Sequence, residues 1–142
     1  MSWSKEQCYE FIDIEPRLGR LATVSANGTP HVVPIWAKRD GDRFLVHTMA
    51  GTNKEQNIRA SGTFSMVFDK HDMPYAGVVV GGTAEVVGNE VIDSLALIKE
   101  LAVRFAGPEA GPGMGDYIAS IPGDHVTLVL TAETFESWDH SG

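Results

Sequence analysis

The sequence predicts a mainly β, single-domain protein whose six strands form an antiparallel sheet curled into a barrel. Three observations predict it. Apolar and polar residues alternate in short runs at 20–25 and 31–37, the period of half-buried strands, and a third strand-like run follows at 43–48. Asn27-Gly28 separates the first two runs, which is hairpin turn chemistry. Helical stretches do not alternate one for one with the strand-like runs, so the connections are hairpins rather than βαβ crossovers. The 142 residues suit one domain, 1–142, without linker or internal repeat.

The elements follow in order. Residues 4–12 read as a short helix capped by Ser4, with Tyr9, Phe11 and Ile12 at its sticky end. Glu15-Pro16 stops it, because the residue before a proline is pushed out of the α region. The three runs that follow are expected to form a meander, the third joined through the turn Asp40-Gly41-Asp42. Thr52 and Glu55 have capping-box spacing, so a helix is expected over 52–60. Strands are expected again at 63–68 and 75–87. The Gly81-Gly82 pair inside the second suggests a bulge that bends the sheet. Residues 90–106 carry Val91, Leu95, Ile98, Ala102 and Phe105 on one helical face, with Asn89 as cap and Gly107-Pro108 as stop. The stretch 107–115, GPEAGPGMG, reads as a mobile exposed connection rather than a lid. A last strand, 125–131, runs on toward Phe135 and Trp138. Pro34 cannot donate to a ladder and belongs on an edge or at a bulge.

Composition narrows the function. Eleven Lys and Arg stand against 19 Asp and Glu, a formal charge of −8, which argues against nucleic acid or an anionic membrane as partner. The start of the chain has no basic-then-apolar pattern of a secretory signal, and no apolar run approaches the roughly 20 residues of a membrane span. A cytoplasmic location is expected, with the lone Cys8 a reduced thiol of no special role. The five histidines are scattered, none at i, i+4, so no metal site is expected. Neither a nucleophile elbow nor a P-loop is present.

One segment carries chemistry. A strand ends at Thr48, and a helix starts near Thr52 with Lys54 in its first turn. Free N–H groups, the positive end of the helix dipole and a lysine together make an anion site. The residues alone leave two readings open: an anion anchor, or a solvated lysine beside an ordinary capping box. Trp36 is likewise either a ring platform or a core or interface residue. His47 is either part of a site or simply half-buried and hydrogen-bonded, while Trp138 reads as packing.

Three stretches together, GRLATVSANGTPHVVPIW (19–36), FLVHTMAGTNKEQNI (44–58) and VVVGGTAEVV (78–87), resemble the split-barrel flavin-binding superfamily of pyridoxamine phosphate oxidase-like proteins. The Thr-x5-Lys-x2-Asn pattern is most similar to the branch of coenzyme F-420-dependent reductases, and FMN-binding members share nearly the same pattern. The resemblance implies a six-stranded antiparallel split β-barrel of FMN-binding type. It places Pro34, Ile35 and Trp36 along the cofactor ring and His47, Thr48, Thr52, Asn53 and Lys54 around its phosphate, with Asn57 one turn further on. It also implies a homodimer with two sites at the interface, the strand near Gly77 approaching from the partner subunit. Asn53 stands where many members have arginine, which removes one positive charge from the phosphate site.

The function expected is hydride transfer between F-420 or FMN and a small organic substrate, the cofactor supplying the chemistry and the protein supplying binding and orientation. Trp36 and the 107–115 segment are the expected substrate walls. F-420 is preferred over FMN on the expectation that Lys38, Arg39, Lys54 and Arg59 gather to meet its acidic tail. Lys54 itself is expected to be exposed. The alternative is a non-catalytic flavin- or haem-binding protein of the same fold.

Overall fold

Strands whose two faces are both covered carry consecutive apolar residues, as Phe44–Val46 and Leu128–Leu130 do. In the computed structural model, which describes residues 2–141, the elements are α1 (Lys5–Asp13), β1 (Gly19–Val24), β2 (Pro30–Ile35), β3 (Lys38–Asp40), β4 (Arg43–Met49), α2 (Asn53–Ser61), β5 (Thr63–Asp69), β6 (Ala76–Val87), α3 (Ser94–Ala119) and β7 (His125–Asp139). The sheet order is β2-β1-β5-β6-β7-β4-β3, with antiparallel pairing throughout. The seventh strand, against six expected, is the three-residue β3.

The expected meander does not form. β2 pairs with β1, and β4 pairs with β3 and β7. β2 and β3 are the two edges of the sheet, yet only Trp36 and Ala37 separate them in the chain. Three residue steps reach at most about 11 Å. The edges must therefore approach each other without sharing a ladder, which makes the sheet a split barrel. Pro34 lies on the edge strand β2, as its missing N–H requires.

The bend that closes the barrel is at Gly81/Gly82, where the register of β6 against β7 shifts past Glu133. A Cβ on Gly82 would lie 2.0 Å from the Thr131 carbonyl oxygen, so only glycine fits there.

Phe44, Phe68, Leu21, Met66, Val78, Val80, Leu128 and Leu130 fill the barrel, and Cys8, Tyr9 and Ile12 of α1 pack against the same cluster. The Ser4 side chain accepts from the Gln7 N–H, and the Gln7 side chain accepts from the Ser4 N–H, so α1 starts with a full capping box. Leu45 and Val129 point to the other face and meet Leu97 and Leu101 of α3.

α3 departs most from expectation. It begins at Ser94 rather than near residue 90, because Asp93 is the cap and accepts from the Ala96 N–H at 3.0 Å. Asn89 instead accepts from the Ser94 N–H at 3.0 Å, and Val91 is exposed. Gly107, at φ 93°, breaks the helix into two arms, 94–106 and 108–119. The 107–115 stretch is thus the start of a second helical arm rather than a loop, with 108–110 and 112–114 exposed. Gly111 and Gly115 are buried, and a Cβ on either would come within 3 Å of the Val103 or Lys99 Cα. The glycines that suggested a loop are there to let the second arm lie antiparallel against the first. Among the described residues no helix is long and apolar enough to cross a membrane.

Candidate functional site

The end of β4 and the start of α2 form the candidate site. Thr48 is buried at 4% exposure. Thr52 Oγ1 donates to the Met49 carbonyl at 3.0 Å, so in its 3.1 Å contact with Thr48 it must accept. Those bonds turn the hydroxyl toward Met49 and Thr48, and Thr52 makes no side-chain cap on α2. Glu55 does not close a capping box either. Its carboxylate turns back to accept from the Gly51 N–H at 2.9 Å and pairs with Arg59. The first N–H groups of α2 are therefore left without a side-chain acceptor.

Lys54 stands in that first turn. It is half-buried, not exposed as expected. Eight of the eleven Lys and Arg side chains form ion pairs, whereas Lys54, Lys70 and Arg104 form none among the described residues. Burial pushes the Lys54 ammonium below its ordinary pKa. A desolvated cation without a carboxylate, beside uncapped N–H groups, is a site suited to an anion. Asn53 is exposed at the same turn.

His47 adjoins this site and shares it with a histidine that sequence reasoning missed. The register sets His47 opposite Thr127 and Met49 opposite His125. His47 Nε2 and His125 Nδ1 are 2.8 Å apart, and His125 Nε2 is 2.7 Å from the Ile121 carbonyl. A carbonyl only accepts, so His125 carries its proton on Nε2 and accepts from His47 on Nδ1. Burial, the neighbouring His125 and then Lys54 lower the His47 pKa to about 4. Below its ordinary pKa of 6.5 the unfolded chain takes up a proton that the folded one refuses until about 4. Stability is therefore expected to fall as pH drops through that window. His47→Gln, whose amide still donates to His125, should flatten that part of a plot of denaturation midpoint against pH.

The other predicted residues are more dispersed. Ile35 is buried at 7% and belongs to the barrel core, while Pro34 is exposed on the edge strand. The half-buried Trp36 stacks on Phe105 of α3, centroids 5.6 Å apart and planes 9° from parallel, so it is braced by the helix. Asn57 is 7% exposed, and its amide donates to Thr23 Oγ1 of β1 at 3.1 Å; it fastens α2 to the sheet. Gly77 is covered by its own chain's Trp138, whose ring atoms lie 2.3 Å from where a Cβ would stand. The expected basic cluster does not assemble. Lys38 pairs with Glu100, Arg39 with Asp13 and Arg59 with Glu55, leaving Lys54 alone at the site.

Comparisons agree with this architecture. No curated protein matches the chain significantly. Among solved structures, a conserved hypothetical protein from Mycobacterium tuberculosis is 26% identical, with a TM-score of 0.78 over 98% of this chain and 86% of that one. An F420 reductase is also 26% identical, with a TM-score of 0.69 over 89% of this chain and 94% of that one. The haem storage protein HutZ from Vibrio cholerae shares the fold at 16% identity, with a TM-score of 0.71 over 95% and 93% of the two chains. The sequence profile described as pyridoxamine 5'-phosphate oxidase matches residues 4–139, nearly the whole chain. With its split barrel and the anion-suited turn at Lys54, the chain belongs to the pyridoxamine 5'-phosphate oxidase family.

Proposed function

We propose that this chain is an oxidoreductase that binds F-420 or FMN by its phosphate at the start of α2, works as a homodimer, and serves hydride transfer to a small organic molecule. The observation that carries the reading is Lys54, a half-buried cation with no carboxylate partner among the described residues, set beside uncapped helix N–H groups. The donor set fits a phosphate: an ammonium, backbone N–H groups and few competing acceptors, since Glu55 is already held by Gly51 and Arg59. The likeness to an F420 reductase supports the deazaflavin version. The dispersal of Lys38, Arg39 and Arg59 into ion pairs removes the ground for preferring F-420 by its acidic tail.

When bound, the ring would supply the hydride chemistry. The chain's own residues bind and orient. Lys54 would donate to the phosphate and the first N–H groups of α2 would add the positive end of their dipole, while Thr48 and Thr52 keep the strand end and helix start together. His47 stays neutral near neutral pH and adds no charge.

Titration of the purified protein with FMN and with F-420, followed by absorbance and calorimetry, tests the reading. Saturable binding of either supports it; binding of neither defeats it. Asn53 leaves the anchor one charge short of the arrangement common in such proteins, which favours a second reading, non-catalytic binding of flavin or haem. A Soret band in the protein as isolated is the outcome that would select haem. Asn53→Arg is expected to tighten cofactor binding about 2- to 5-fold and to make it more salt-sensitive, without altering stability at this exposed position. Light scattering is expected to report about twice the 15.4 kDa chain mass, and a monomer at micromolar concentration would remove the interface from the proposal.

A further inference from the structure

We propose that the hollow beneath the first arm of α3 is a second binding site, for an organic anion with a flat apolar body. The hollow has a volume of about 310 Å³, within the range of small-molecule pockets, which begins near roughly 300 Å³. Its floor is apolar: Ile12 of α1, Ala37 of the crossing between the sheet edges, Phe44, Phe68 and Leu101. Phe44 and Phe68 are buried beneath it, and Phe105, half-buried, is the lining ring open to a planar ligand.

The rim has the opposite sign from the protein as a whole. Arg17, Lys38, Arg39 and Arg104 line it, against Asp13 and Glu100, in a chain whose acids outnumber its bases 19 to 11. Two of these cations are neutralised in place. Lys38 Nζ lies 2.7 Å from Glu100, and Arg39 makes a forked pair with Asp13 at 3.0 and 2.6 Å. Arg17 pairs outward with Glu15 at 3.1 Å, and Arg104 is left without a carboxylate partner among the described residues.

Arg104 has no carboxylate within 4 Å among the described residues; its one bond is a 3.4 Å contact to the Asp13 carbonyl oxygen. Arg17 is fixed and largely desolvated. Its side chain is 10% exposed, its Nε donates to the Phe11 carbonyl at 2.8 Å, and its guanidinium lies 3.9 Å over the Phe11 ring. Its carboxylate partner, Glu15, is 62% exposed and does not line the hollow. A carboxylate at this rim would give Arg104 the partner it lacks and Arg17 a second one inside the hollow, while its body covers the apolar floor. A bare inorganic anion would leave the floor wet, and a neutral ring would leave the rim unanswered.

None of His47, Thr48, Thr52 and Lys54 lines this hollow, so the inference does not rest on the cofactor reading. Phe105 lines it and carries the stacked Trp36, which places an indole next to the site as a fluorescent reporter.

The test is calorimetric titration of the full chain with naphthoate and with its neutral twin naphthamide, Trp fluorescence as the second readout. Naphthoate is expected to bind saturably and at least about tenfold tighter than naphthamide. Arg104→Gln, a change at an exposed position, is expected to reduce naphthoate affinity about tenfold and leave naphthamide unchanged. Ala37→Leu, which fills the hollow, is expected to weaken both. No saturable naphthoate binding by the parent would overturn the proposal. So would an Arg104→Gln variant that keeps the parent's preference for naphthoate, and that arm decides the matter even if Ala37→Leu does not fold.

Discussion

Lys54→Ala is expected to weaken FMN or F-420 binding by about 1.5–3 kcal/mol, a factor of about 10 to 150, as for a hydrogen bond to a charged group. The physical reason is the state of the ammonium before any ligand arrives. Lys54 has given up part of its hydration without gaining a carboxylate partner among the described residues. An anion beside it recovers what burial cost. The same reasoning sets the control: folding gains nothing from this charge, so the melting temperature of the apo-protein should hold or rise slightly. Calorimetry with each cofactor and thermal denaturation without cofactor check the two halves. Equal affinity in variant and parent would return Lys54 to the role of a solvated lysine. A large drop in melting temperature would show that it serves the fold.

Gly82→Ala is expected to be the most damaging single methyl group in the molecule, costing about 3 kcal/mol or more and roughly 10 °C in melting temperature. Its Cβ would stand 2.0 Å from the Thr131 carbonyl oxygen and 3.1 Å from the Glu133 nitrogen, both backbone atoms that belong to the bulge. Backbone cannot step aside as a side-chain end can, so the ladder between β6 and β7 must shift. Gly81→Ala is the internal comparison. There the nearest atom is the Thr134 hydroxyl at 3.0 Å, the end of a side chain that can turn. A few tenths to 1 kcal/mol is expected for it, about the range of ordinary surface and strand substitutions. Chemical and thermal denaturation of the two variants in parallel measure the contrast. Similar midpoints for both would mean that the bulge relaxes freely and does not hold the barrel's curvature.

What was legible in the sequence was local. The Ser4 cap, the Asn27-Gly28 hairpin, the strand at 63–69 and the bend at Gly81-Gly82 each depend on residues within a few positions of one another, and all appear where the pattern placed them. Local patterns misled where a distant partner changed their meaning. Thr52 and Glu55 have the spacing of a capping box, yet Met49 takes the hydroxyl and Gly51 takes the carboxylate. The glycines and prolines at 107–115 have loop composition, but Gly111 and Gly115 are packed against the first arm of α3. Val91 keeps the apolar period of the helix that follows, but the Asp93 cap starts that helix after it.

The candidate site divides in the same way. Thr48, Thr52 and Lys54 were readable because a strand end, a helix start and a lysine lie within seven residues of chain. His125 was not, since it is 78 positions from His47 and only the pairing of β4 with β7 makes them neighbours. The pairing of Lys38 with Glu100 and Arg39 with Asp13 also had no local trace, although it decides which cations remain for ligands. By itself, then, the sequence determined the strand periods, the turns, the bulge and the anion-suited turn at Lys54, because backbone sterics and hydrogen-bond chemistry act over a few residues. Only the tertiary structure decided that β2 and β3 end on opposite edges of one sheet, that two histidines form a hydrogen bond, and that Arg104 stands over a hollow with no carboxylate partner among the described residues. Those outcomes depend on how a closed sheet brings distant residues within a few ångströms, and burial then sets which charges are paired and which are not.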